Sequence, residues 1–120
     1  ATFTYRISRK VYKVKGSIWI ENDDVAFIGS GRIHLLEMIK KHGSITLAAK
    51  ALKMSYRQAW ELVNSMNTQS AKPLIATSAG GAGGGGTRLT NEGEQAIKQY
   101  RALQKRFHLF NARESRKLKL

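Results

Sequence analysis

The sequence contains no cysteine. Disulfides, thiolate nucleophiles and cysteine-based zinc sites are therefore excluded. Acidic residues are scarce, 8 against 21 lysines and arginines, which leaves a net charge of +13. So large an imbalance repels itself unless an anionic partner belongs to the function, which brings DNA, RNA and an anionic membrane surface into view. No apolar run approaches the roughly 18 residues that a bilayer span needs. The N-terminus lacks the apolar core of a signal peptide, and the expectation is a cytoplasmic protein with no membrane partner. The three histidines, His34, His42 and His108, are scattered and have no metal-ligand spacing. No serine sits in a G-x-S-x-G elbow, and Asp23 and Asp24 read as turn residues. No metal, cofactor or catalytic residue is expected, and the chain does not read as an enzyme.

What is present suffices for one modest domain: 120 residues, 42% of them hydrophobic, can bury a single core. Residues 1–15 carry Arg6, Arg9, Lys10, Lys13 and Lys15 without an acid, and Phe3, Tyr5 and Ile7 alternate with polar residues. This segment reads as a basic arm or a strand. Over 17–28, β-branched and aromatic residues flank Asn22-Asp23-Asp24, the pattern of a β-hairpin with Trp19 or its neighbours packed on helices. Ser30 can cap a helix over about 30–42, with Ile33, Leu36 and Ile39 on one face, flanked by Leu35 and Met38, and Gly43 as its left-handed stop. Ser44 caps a second helix over about 45–53, whose Ala48, Ala49 and Ala51 allow close approach of a neighbour. Ser55 opens a third helix over about 55–69 and has capping-box spacing to Gln58. Ala59, Leu62, Val63 and Met66 form its core face. Pro73, the sole proline, marks the exit from that helix. Leu74 to Ser78 and Thr87 to Leu89 pair as strands across the loop AGGAGGGG, and Thr90 caps a last helix running to Asn111 or beyond.

Two short helices joined by a tight turn and followed by a glycine-tipped hairpin have the layout of a winged helix-turn-helix, which offers its second helix to the major groove of DNA. The fold class expected is mainly α with small β elements. In this layout Tyr56, Arg57, Gln58, Glu61 and Asn64 face outward from the reading helix. Arg57 is suited to a bidentate contact with guanine O6 and N7, Tyr56 to a thymine methyl or a phosphate, and Asn64 to a phosphate or an adenine. Ser44, Thr46 and Ser55, at the starts of the two helices, are placed beside the duplex with them. Trp60 lies at the border of the core face and is expected to pack under the turn. Gly83, Gly84 and Gly85 at the wing tip let the backbone lie close to phosphates, with Arg88 supplying charge at the wing base. A nucleotide-binding P-loop does not fit. Gly81 and Gly86 have the glycine spacing, but Thr87 stands where lysine is required and a strand follows instead of a helix.

Ile97, Tyr100, Leu103, Phe107 and Phe110 form one apolar seam along the last helix, with no obvious partner inside so small a domain. A homodimer built on this seam is expected, with its two reading helices about 34 Å apart or at a larger spacing. The helix and its tail also carry Lys98, Arg101, Lys105, Arg106, Arg113, Arg116, Lys117 and Lys119, opposed by Glu114.

From about Gly16 to about Arg106 the chain resembles the DNA-binding domain of the molybdate-responsive transcription regulators, the ModE-type family. The segments GRIHLLEMIKKHGSI, MSYRQAW, MN and GGAGGGGTRLTNEGE carry the resemblance by their order and spacing. It implies a winged helix-turn-helix preceded by extra N-terminal structure and a long C-terminal helix that builds a symmetric dimer. It puts Ser55 to Gln58 at the start of the recognition helix, Gly80 to Gly86 at the wing tip and 90–110 on the dimer helix. Full-length members of that family continue into small β-barrel modules that bind molybdate or tungstate. This chain stops at Leu120. It is expected to be a single-domain form, or that domain alone, and molybdate is not expected to bind it. The organisation expected is thus an arm or strand over 1–15, a winged helix-turn-helix over 16–90 with its wing at 74–89, and a dimerisation helix with a basic tail over 91–120. The function expected is sequence-specific binding of double-stranded DNA by a homodimeric transcription regulator. An architectural or nucleoid-type DNA-binding protein, and an oxyanion-responsive or protein-interaction module, are the alternatives.

Overall fold

The computed structural model describes residues 10–78 and 86–120. Of the arm or strand expected at 1–15, residues 1–9 lie outside the described residues, as do the wing-tip glycines Gly83, Gly84 and Gly85, and 10–15 form no strand. The hairpin comes first. Strand β1 (Ile20–Asn22) pairs antiparallel with β2 (Val25–Ile28), and Asn22 faces Val25. The two-residue turn between them, Asp23 and Asp24, has φ of 48° and 65°. Both values are positive, as a primed turn requires, and aspartate tolerates that conformation better than most residues. Trp19 is 58% exposed and its indole N–H donates to Glu21 Oε2 at 2.8 Å, so the hairpin packs inward through Ile18, Phe27 and Ile28 instead.

Helix α1 (Ser30–His42) begins one residue earlier than a serine cap would place it. Gly29 occupies the N-cap and no side chain caps the helix. Its stop is as expected: Gly43 has φ +67° and its N–H returns to Ile39 O at 2.8 Å. The carbonyl of Gly43 then accepts Thr87 N–H at 3.0 Å, which ties the end of α1 to the wing. Helix α2 (Ile45–Ala51) is capped by Ser44, whose Oγ accepts Leu47 N–H. It ends two residues short of the expected 53, and Lys53 enters the left-handed region at φ 56° to turn the chain. Helix α3 (Tyr56–Gln69) starts behind Ser55, whose Oγ accepts Gln58 N–H at 3.1 Å. Of the capping box, only this half is formed among the described residues. Ala48, Ala49 and Ala59 are fully buried, and their small side chains let α2 and α3 cross closely.

The wing base consists of β3 (Ile75–Thr77) and β4 (Thr87–Leu89), antiparallel with Ala76 opposite Arg88. Asn67, near the end of α3, organises its entry. Its Oδ1 accepts Leu74 N–H and Ile75 N–H at 2.9 and 3.1 Å, and its Nδ2 donates to Ile75 O at 3.0 Å. Helix α4 (Asn91–Lys117) is capped by Thr90 and carries Glu92 and Glu94 in its first turn, where the helix dipole favours acids. Gly93 is buried against the chain before β3: a Cβ there would lie 2.2 Å from Leu74 O.

The core joins Ile28, Ile33, Leu35, Leu36, Ile39, Ile45, Val63, Met66, Leu74, Ile75 and Tyr100. Tyr100 belongs to this core and not to a free seam. It is 1% exposed and its hydroxyl donates to Ile18 O at 2.9 Å. Ile97 packs against the same core. Further along, the entering chain runs antiparallel to α4. Gly16 lies on Phe107, and Val14 N–H donates to Ser115 Oγ at 2.7 Å. Between them Asn111 is buried, on the face that spacing by four makes common to Phe107, Asn111 and Ser115. The expected seam is therefore divided. Its first half closes the protein's own core, Leu103 and Phe107 are half-buried, and Phe110 is exposed beside Leu109.

Candidate nucleic-acid interface

The first turn of α3 presents Tyr56, Arg57 and Gln58 to solvent, and the next turn adds Trp60, Glu61 and Asn64. Ala59, Val63 and Met66 anchor the opposite face in the core. Burial of that face leaves the helix one orientation, and the outward residues follow by helical spacing. Ser55 and Ser44 spend their hydroxyls on the caps of α3 and α2. They set the helix starts and do not present free side chains. Thr46 is exposed on the first turn of α2.

Arg57 is the side chain most open to a ligand. Its Nε donates to Glu61 Oε1 at 3.2 Å, one helical turn along. That contact engages only Nε, and among the described residues the terminal nitrogens have no hydrogen-bond partner, which leaves a fork suited to a bidentate acceptor. The pair itself is largely solvated, so it orients the guanidinium more than it stabilises the fold. Lys50, Lys53 and Arg88 add exposed positive charge on α2, the turn and β4. At the wing base Ser78 N–H donates to Gly86 O at 2.9 Å, and Gly86 N–H donates to Ser78 Oγ at 3.1 Å. These bonds hold the two ends of the glycine loop together beside Gly43.

Arg101 and Arg32 are tied into the fold, and Lys40 and Lys117 make surface pairs. Arg101 Nε donates to Glu37 Oε2 at 3.2 Å, joining α4 to α1, and the bond raises its pKa against the opposing effect of partial burial. Arg32 donates to Phe27 O at 3.3 Å and Ser65 Oγ at 2.9 Å, and burial lowers its pKa. Lys40 pairs with Glu94 at 2.8 Å and Lys117 with Glu114 at 2.9 Å. No group of three or more His, Asp or Glu able to hold a metal occurs among the described residues. Among them too, no helix is long and apolar enough to cross a membrane.

Trp60 departs from expectation. It does not pack under the turn but stands 49% exposed on the outer face. In the sequence Asn67 is only half of the MN segment. Its role at the wing entry depends on where the chain returns after Pro73, which periodicity does not report. The Met66-Asn67 pair at a helix end was the available signal, and it pointed nowhere in particular.

A helix pair with one outward polar helix, a pinned wing base and surplus positive charge is the geometry of a regulatory DNA-binding unit. The family described as bacterial regulatory helix-turn-helix protein, lysR family, matches residues 31–94. The chain belongs to that family. The match spans α1 through the first turn of α4, the part in which every element packs on the shared core. Similarity to individual proteins extends further. The chain is 41% identical over 85 residues to the molybdenum transport protein ModE of Azotobacter vinelandii, covering 71% of this chain and 32% of that protein. It is 40% identical over 86 residues to the transcriptional regulator ModE of Haemophilus influenzae, covering 72% and 34%. It is 42% identical over 74 residues to the DNA-binding transcriptional dual regulator ModE of Escherichia coli K12, covering 62% and 28%. The expected ModE-type resemblance is thereby borne out, as are the winged helix-turn-helix fold and its long final helix. The similarity spans about a third of the length of these relatives.

Proposed function

We propose that this chain is the DNA-reading part of a homodimeric transcription regulator that binds double-stranded DNA with sequence preference. The observation that carries the reading is the first turn of α3, capped by Ser55 and leaving Tyr56, Arg57 and Gln58 clear of the fold. In this reading Arg57 contacts guanine, Tyr56 and Asn64 contact bases or phosphates, and Lys50, Lys53, Arg88 and the wing hold the backbone. Thr46 approaches the duplex from α2. The relatives named as regulators support the assignment, and the net charge of +13 supports an anionic partner. Dimerisation rests on α4, which carries Leu109 and Phe110 in exposed positions beyond the part that closes the core. The reading assigns no catalysis and no molybdate site to this chain, and its setting is the cytoplasm.

Selection of bound sequences from a random duplex library, followed by a salt titration, tests this. A palindromic consensus is expected. If a dimer neutralises about eight phosphates, log K falls with log salt at a slope near −7, or about four decades between 50 and 200 mM. A slope near zero would refute duplex binding by charge.

One observation favours a second, architectural reading with little sequence choice. The entering segment and the end of α4 lie together, so exposed Lys13 and Lys15 line one groove with Arg116, and Arg113 adds exposed charge on the same stretch of α4. Two substitutions separate the readings. In a regulator, Arg57→Ala flattens sequence preference and Arg113→Ala weakens all duplexes alike. Unchanged relative affinities in Arg57→Ala would favour the architectural protein.

A further inference from the structure

Trp60 is a large apolar side chain that the helix-turn-helix leaves outside its core. It is 49% exposed, and its indole N–H has no partner among the described residues. It lies on the flank of the outward stripe of α3, three residues after Arg57 and four before Asn64. Exposing so much indole to water is unfavourable, and a surface helix whose outer face is otherwise polar has no packing reason to do so. A tryptophan in that place makes sense when the face is covered by its ligand.

Building on the reading of α3 as a recognition helix, we propose that Trp60 is a base-reading residue that packs its indole against a thymine 5-methyl group in the major groove and so selects a T·A pair. The chemistry of the groove supports this. Phosphates want charge or hydrogen-bond donors, and guanine, adenine and cytosine edges present polar atoms. The thymine methyl is the apolar feature there. An uncharged ring with one donor matches that methyl better than it matches any phosphate. The position agrees. Trp60 is the fifth residue of α3, within the N-terminal part of a recognition helix that approaches base edges. Three residues of helix rise about 4.5 Å, roughly one base-pair step of 3.4 Å. The thymine read by Trp60 therefore lies within one or two pairs of the guanine read by Arg57.

The test removes the methyl from the DNA and leaves the protein intact. In the consensus obtained by selection, each thymine is replaced singly by deoxyuridine, and binding of the full chain is measured at 50 mM salt. At one thymine per half-site, beside the Arg57 guanine, affinity is expected to fall about fourfold, the worth of one buried methyl-sized group. Trp60→Ala is expected to bind with the same salt slope and to lose this sensitivity, whereas Tyr56→Ala keeps it. A consensus in which no thymine responds to methyl removal would overturn the proposal while leaving sequence-specific binding standing. So would a penalty that persists in Trp60→Ala or disappears in Tyr56→Ala. Selection that yields no consensus overturns both this assignment and the regulator reading.

Discussion

Asn67 shows how much one side chain can decide. Its amide makes three bonds to the backbone of Leu74 and Ile75, satisfying groups that α3 and the wing would otherwise leave partly buried and unpaired. Each such bond contributes about 1 kcal/mol, and an unpaired buried group costs more than the bond it loses. Asn67→Ala is expected to lower unfolding free energy by about 2–3 kcal/mol, read as a lower urea midpoint at unchanged m-value. Asn64 sits one turn earlier on the solvent side, and Asn64→Ala is expected to leave the midpoint within about 0.5 kcal/mol while weakening DNA binding. The two substitutions are thus expected to separate stability from recognition. Helical spacing from Ala59, Val63 and Met66 was enough to put Asn64 outside. It could not reveal the bonds of Asn67, because those depend on a strand eight residues away folding back.

Elements were legible where their signals were local. The serine and threonine caps of α2, α3 and α4, the glycine stop of α1 and the aspartate turn all depend on neighbours within a few residues, and each appears as expected. The end of α2, without such punctuation, shifted: the helix is two residues shorter than its apolar pattern. The junction of β3 and α4 makes a sharper demand. Gly93 lets the first turn of α4 approach Leu74 O, which also accepts Thr90 N–H at 2.9 Å. Alanine would favour the helix by about 1 kcal/mol on intrinsic propensity. Overlap with a backbone carbonyl that cannot rotate away costs more, typically about 1–3 kcal/mol for an overpacked site. The clash is expected to win, so Gly93→Ala lowers the urea midpoint; an increase would show that α4 can shift without loss.

At the scale of the whole molecule, α4 closes the core with its first half, and its second half is the proposed dimer seam. Its 27 residues rise about 40 Å, further than the core beneath it extends. Ile97 and Tyr100 close the core, the entering chain covers Asn111, and Leu109 and Phe110 remain exposed. Phe110→Glu is therefore expected to yield a folded monomer by light scattering and sedimentation, with an unchanged circular dichroism spectrum. DNA affinity is expected to drop toward that of a single half-site. A variant that remains dimeric would move the interface elsewhere. The apolar spacing of α4 showed that a stripe exists. It could not apportion that stripe, since Tyr100 and Phe110 look alike in a helical pattern and differ only in what the fold brings against them. By itself the sequence determined the order of helices, their caps and turns, the basic character and the outward face of α3, because these follow from short-range periodicity and composition. Only the tertiary structure decided that Trp60 stands in solvent, that Asn67 ties the wing and that Tyr100 belongs to the core, because each depends on contacts between segments far apart in the chain.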